Sequence, residues 1–89
     1  MVCKRVKIIG RVQGVWFRDT TQRKAAELGV RGCVRNEPDG SVAAEFHADD
    51  AVMAEMLDWC WIGSPNSKVE RVDVNDCDDP APEGFNIRY

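Results

Sequence analysis

The chain is poor in the residues that build metal and redox centres. It has one histidine, His47, and four cysteines, Cys3, Cys33, Cys60 and Cys77, with no C-x-x-C pair among them. Zinc sites draw on Cys and His at short spacings, so this pattern argues against one. Long apolar runs are missing too. No stretch of about 18 apolar residues occurs, so no membrane-spanning helix is expected. The start, Met1-Val2-Cys3-Lys4-Arg5, lacks the apolar stretch of a secretion signal, which predicts a cytoplasmic location. Positive charge is not in excess either. The formal net charge is −3 at pH 7, which argues against the basic field that nonspecific nucleic-acid binding needs. Repeats, low-complexity tracts and internal linkers are absent.

What is present fits one globular domain spanning residues 1–89, with 44% hydrophobic and 30% charged residues. The cations gather early: Lys4, Arg5, Lys7, Arg11, Arg18, Arg23, Lys24, Arg31 and Arg35 all precede residue 36, and the later half is acidic. Any anion site must therefore be local. In a reducing compartment the default is four free thiols, partly buried as small hydrophobes.

Hydropathy patterning predicts the elements. Residues 3–12 alternate loosely and hold β-branched side chains, as in a strand. Residues 18–28 read as a helix with Phe17, Thr21, Ala25 and Leu28 on one face and Gly29 as its stop. A strand over residues 31–36 and another over 41–48 flank the turn Pro38-Asp39-Gly40, forming a hairpin. On the second of these, Val42, Ala44, Phe46 and Ala48 face one way. Ala43, Glu45 and His47 face the other, which places His47 at the surface. Asp49 or Asp50 can cap a second helix, whose buried stripe reads Met53, Met56, Leu57, Cys60 and Trp61. Trp59 falls off that stripe. Gly63 ends the helix, residues 69–74 read as a fourth strand, and residues 85–89 leave room for a short extra C-terminal strand.

The order β-α-β-β-α-β is the split βαβ pattern: an α+β, ferredoxin-like sandwich with an antiparallel sheet and two helices on one face. Right-handed crossovers put strands one and three at the centre, so strands one and two run parallel and end at the same edge. If strand four pairs with strand one, Cys3 comes opposite Cys77. A disulfide there is geometrically conceivable, though a reducing compartment disfavours it.

The site hypothesis rests on Gly10-Arg11-Val12-Gln13-Gly14-Val15-Trp16-Phe17-Arg18. An apolar strand stops, two glycines frame a turn, and a helix starts. Such a turn leaves backbone N–H groups free to cradle an anion, and the helix N-terminus adds a favourable dipole. Arg18 supplies a guanidinium fork that matches phosphate. Strand order brings Asn36 to the same edge, where its amide can hold a water. Taken singly, these features have plainer readings. A Gly-x-x-x-Gly beside an arginine is usually a tight turn and a solvated charge. Asn36 alone is a common turn residue. Asp19 could pair with Arg18 or simply favour the helix dipole. Arg11, Arg23 and Arg35 read as surface charges. Phe17 reads as core, whereas Trp16 lies at the pocket rim or is merely exposed.

The nonapeptide ending in Arg18 resembles the first motif of acylphosphatases, and Gly32-Cys33-Val34-Arg35-Asn36 followed by Asp39-Gly40-Ser41-Val42 resembles the second. The likeness extends to the ending Phe85-Asn86-Ile87-Arg88-Tyr89 and covers nearly the whole chain. It implies a ferredoxin-like monomer that hydrolyses the carboxyl–phosphate anhydride bond of acyl phosphates to carboxylate and inorganic phosphate. It implies no metal and no cofactor. By the resemblance, Arg18 and the loop N–H groups of Gln13, Gly14, Val15, Trp16, Phe17 and Arg18 bind the phosphate, and Asn36 orients the attacking water. The implied partners are a small acyl phosphate, with inorganic phosphate or sulfate as product-like ligands, and neither nucleic acid nor membrane. Cys33 departs from the family, which often has an aromatic residue there, but it is neither catalytic position.

Other uses of the same fold lack their residues. An RNA-binding version needs aromatics on the exposed sheet face, where strand three offers Ala43, Glu45 and His47. A metal chaperone needs paired cysteines. A purely regulatory anion-binding domain has no need of Arg18 and Asn36 together.

Overall fold

In the computed structural model, which describes all 89 residues, the apolar alternation at the start of the chain becomes β1 (Val2–Arg11). The elements α1 (Phe17–Leu28), β2 (Arg31–Asn36), β3 (Val42–Ala48), α2 (Asp50–Ile62), β4 (Lys68–Asp76) and β5 (Phe85–Arg88) follow. The sheet order is β4-β1-β3-β2-β5. The first four strands are antiparallel to their neighbours, so β1 and β2 do run parallel with β3 between them.

The first four strands form the antiparallel sheet that the sequence implies, and the short extra C-terminal strand, whose direction the sequence left open, makes the sheet mixed. β5 adds to β2 in parallel, with Gly32 opposite Phe85 and Arg35 opposite Arg88. The cause is topological. β4 lies at one edge, and residues 77–84 carry the chain to the opposite edge, so β5 runs the same way as β2. The Gly32 N–H donates to the Gly84 carbonyl at 3.0 Å and starts this pairing.

Alternation decides which face is covered. Val6, Ile8, Val34, Val42 and Phe46 point at the helices and are all 2% exposed or less. α1 answers with Phe17, Thr21 and Ala25, and α2 with Met53, Met56 and Cys60. Burial pushes the Cys60 thiol up to about 12. The stops act as the sequence implies. Gly29 takes φ 76° and donates to the Ala25 and Ala26 carbonyls, while the Asp49 carboxylate accepts the Val52 N–H at 2.9 Å. Such a cap stabilises a helix by about 1 kcal/mol.

Three expectations fail on packing grounds. Trp61 is exposed rather than core, and Trp59 is half-buried with its ring 5.8 Å from Phe17. The helices touch through Phe17 and Trp59, which rolls the α2 stripe away from Trp61. His47 is 3% exposed, not a surface residue. It faces the sheet side away from the helices, where Cys3 and Glu45 lie against its ring. Cys3 and Cys77 are bonded, with Cα atoms 5.2 Å apart, so two thiols remain free, Cys33 and Cys60. The β1–β4 ladder continues past Asp76, where the Cys77 N–H donates to the Cys3 carbonyl at 3.2 Å. That register brings the two sulfurs together.

Gly32 is the tightest point of the sheet. Its φ is 141°, and a Cβ there would collide with the Glu45 carbonyl of β3. Gly32→Ala is therefore expected to lower the melting temperature by roughly 10 °C, the equivalent of about 2 kcal/mol in a domain this small. The bond between Cys3 and Cys77 spans 74 residues of chain. In the chain-entropy picture, replacing both by serine costs up to about 4 kcal/mol. Urea unfolding of the double variant against the oxidised parent measures it.

Candidate active site

The cleft lies where β1 and β2 end. β1 runs out at Arg11, and residues 12–16 turn the chain into α1. The turn is anchored from below. Val12 and Phe17 are 1% and 2% exposed, and the Ser64 hydroxyl, itself buried, donates to the Val15 carbonyl at 2.7 Å. Both flanks of the turn, and Val15 within it, are thus sunk into the core. Gly14 takes φ 72°, and Trp16, the N-cap of α1, takes φ 61°.

A left-handed tryptophan is a poor N-cap. Its side chain has no acceptor, so no side-chain hydrogen bond closes the start of α1. Outside the regular elements, no backbone N–H between residues 13 and 18 donates a hydrogen bond. The first to find a partner there is the Thr20 N–H, which reaches the Trp16 carbonyl at 3.0 Å, while the Thr20 hydroxyl donates to the same oxygen at 2.8 Å. The helix start is left as a patch of free donors at the positive end of a dipole, the arrangement that attracts an anion.

The cleft over this patch measures about 330 Å³, and Gly14, Trp16, Arg18, Asp19, Asn36 and Tyr89 are among its lining residues. Arg18 and Asn36 thus share one cavity, as strand order implied. Arg18 is held by the end of the chain. One of its Nη groups donates to the Arg88 carbonyl at 3.0 Å, and its guanidinium carbon lies 4.7 Å from the centre of the Tyr89 ring. The guanidinium has five N–H donors, so this engagement leaves others for a ligand. Asp19 forms no ion pair with Arg18. It is the only acidic residue lining the cleft, and a lone carboxylate beside an arginine offers a divalent cation little.

Gln13 plays a part that the motif did not reveal. Its side chain turns away from an anion-binding posture. Its Nε2 donates to the carbonyls of Glu37 and Ser41, at 2.7 and 2.8 Å. Both acceptors lie in the hairpin that carries Asn36, so one amide ties the two halves of the cleft together. The hairpin is itself braced. Lys7 pairs with Asp39 at 2.6 Å, and the Asp39 carboxylate accepts the Ser41 N–H at 3.0 Å and its hydroxyl. The Lys7 contact first, and then these Ser41 donors, hold the Asp39 carboxyl well below the usual carboxylate range. Arg88, Tyr89 and Ser64 also escaped the sequence reading. The signal was present for the first two, because a fifth strand parallel to β2 must end beside Asn36.

Comparison with known proteins agrees with this geometry. The acylphosphatase family model matches residues 4–87. An acylphosphatase of Rubrobacter xylanophilus is 46% identical over 87 residues, covering 94% of this chain and 77% of that protein. One from Nitrosococcus oceani is 42% identical and covers 99% of both chains. The crystal structure of the Bacillus subtilis acylphosphatase superposes with a TM-score of 0.92 at 32% identity, over the full length of both chains. A family match over nearly the whole sequence, on a fold with an open helix N-terminus beside an arginine and an asparagine, leaves one conclusion: the chain belongs to the acylphosphatase family, enzymes that hydrolyse acyl phosphates.

Proposed function

We propose that Arg18 and the loop of Gln13, Gly14, Val15, Trp16, Phe17 and Arg18 grip the phosphoryl group, and that Asn36 orients the water that attacks it. The observation that carries this reading is the shared cleft: Gly14, Trp16, Phe17 and Arg18 of the loop line one cavity with Asn36, while Gln13 and Val15 lie outside its lining. The loop N–H groups and the guanidinium neutralise the phosphoryl oxygens as charge shifts toward the leaving group. Asn36 places a water in line with the bridging oxygen. The water oxygen bonds to phosphorus, the bridging P–O bond breaks, and the carboxylate leaves with the electron pair. A carboxylate is a weakly basic leaving group, so no strong base is required. A phosphoryl oxygen of the substrate takes the water proton, and inorganic phosphate departs with it. Metal and cofactor have no assigned part in these steps.

Gln13 is a positioning residue in this scheme. Its two bonds to the hairpin set the spacing between the phosphate grip and the water holder. The acyl side meets Trp16 and Tyr89 at an open rim, 74% and 99% exposed, so the enzyme accepts varied acyl groups. Because every proposed site residue comes from one chain, a monomer suffices. We also place the enzyme in the cytoplasm, with inorganic phosphate or sulfate as product-like ligands and no nucleic-acid or membrane partner.

Hydrolysis of a simple acyl phosphate in the presence of a chelator tests the whole scheme, and loss of activity on chelation would count against it. Arg18→Ala should lower kcat/KM about a thousandfold and abolish inhibition by phosphate. Asn36→Ala should lower kcat about a hundredfold or more while leaving phosphate inhibition within about threefold of the parent. A large loss of phosphate affinity in that variant would refute the role given to Asn36. Gln13→Ala, with both cleft residues intact, should lower kcat about tenfold through misplacement alone.

A further inference from the structure

The sheet end opposite the cleft carries a second cluster that hydrolysis does not use. The β1–β3 register sets Cys3 opposite His47, and Glu45 precedes His47 by two residues on the same face. The Cys3 sulfur lies 3.7 Å from His47 Nε2, which in turn lies 2.8 Å from Glu45 Oε2. One ligating atom from each of the three fits within 4.8 Å of the others. Cys77 stands outside that triad but adjoins it through its bond to Cys3, with the two Cα atoms 5.2 Å apart. His47 is 3% exposed, and the Glu45 side chain is 20% exposed.

We infer that reduction of the Cys3–Cys77 bond converts this cluster into a site for a thiophilic divalent cation such as zinc, held by both thiolates, His47 and Glu45. Two sulfurs, one imidazole and one carboxylate form a tetrahedral zinc donor set. The spacing suits it: zinc bonds to sulfur and nitrogen put the two donors about 3.6 Å apart in a tetrahedron, and Cys3 and His47 already stand at 3.7 Å. With Nε2–H as the tautomer that donates to Oε2 at 2.8 Å, the cation takes that proton's place as Glu45 swings outward slightly. Glu45 keeps its second oxygen 3.6 Å from Arg5 Nε, which orients the carboxylate from behind.

The chemistry balances with a dithiol reductant. Two electrons and two protons pass to the Cys3–Cys77 bond, which breaks to two thiols, and the donor becomes a disulfide. Zinc then displaces both thiol protons to solvent, and the Nε2 proton of His47 passes to Nδ1, so the imidazole stays neutral as it binds. A disulfide sulfur is a poor ligand, so the bond and the metal exclude each other. Each closes the same gap between the start of β1 and the end of β4. The sequence concealed this site because its ligands stand at positions 3, 45, 47 and 77, and only the sheet register unites them.

The test uses the full chain, reduced without oxygen and titrated with zinc against a chromophoric chelator. One equivalent should bind with a Kd below about 1 µM, and the oxidised protein should bind none at that affinity. Cobalt in place of zinc should give thiolate charge-transfer and tetrahedral d–d absorption. Cys3→Ser, Cys77→Ser and His47→Gln should each weaken binding at least about tenfold, and Cys33→Ser should leave it unchanged. Retained acyl phosphate hydrolysis in the Cys3→Ser and His47→Gln variants certifies that they fold. The inference is overturned if the reduced protein takes up no zinc below about 100 µM, or if binding survives His47→Gln or depends on Cys33. Hydrolysis is read separately, so failure here leaves the proposed catalytic scheme standing.

Discussion

β1 is paired on both flanks along nearly its whole length, by β3 from Val2 to Ile8 and by β4 from Lys4 to Arg11. The loop that enters α1 leaves from one of its ends, and Cys3 stands at the other. At the far end the chain leaves the sheet at a fixed point and turns directly into α1, so the loop over residues 12–16 starts from rigid backbone. At the near end the same pairing delivers Cys3 to both His47 and Cys77. An element held on both sides has little freedom to relocate its termini, and a site on such ends inherits their position.

The open start of α1 is the second constraint. Most helices close their first turn with a Ser, Thr, Asp or Asn. α2 does so with Asp49, whereas α1 begins after a left-handed tryptophan that offers no acceptor. Its first donors are left unpaired at the expense of helix stability. Phe17, Val15 and Ser64 compensate, because they fasten the turn to the core without using those donors. Local stability is lost at this open helix start, and packing below makes it good.

Much of this was legible in the residues. Apolar period, glycine stops, the Asp49 cap and the hairpin turn gave the element order, and the crossover rule gave the strand order that unites Arg18 with Asn36. What stayed hidden depends on the segment after β4. Its low hydropathy, with Pro80, Pro82 and Gly84, says loop but not where the loop goes. It permits the Cys3–Cys77 bond and delivers β5 in parallel so that Arg88 and Tyr89 reach Arg18. Helix rotation was also illegible. Trp59 and Trp61 are two residues apart, and only contact with Phe17 decides which one is covered.

The pairing of β1 with β4 joins the beginning of the chain to residues more than fifty positions later. A strand completed so late sets the kinetics of folding. The entropy of closing almost the entire chain must be spent before the ladder returns any energy, and such nonlocal sheets form slowly. Until β4 arrives, β1 presents an unpaired edge, the kind of surface on which chains aggregate. A covalent or metal link between Cys3 and Cys77 shortens that exposure, because it holds the two strands in register while the rest of the sheet assembles.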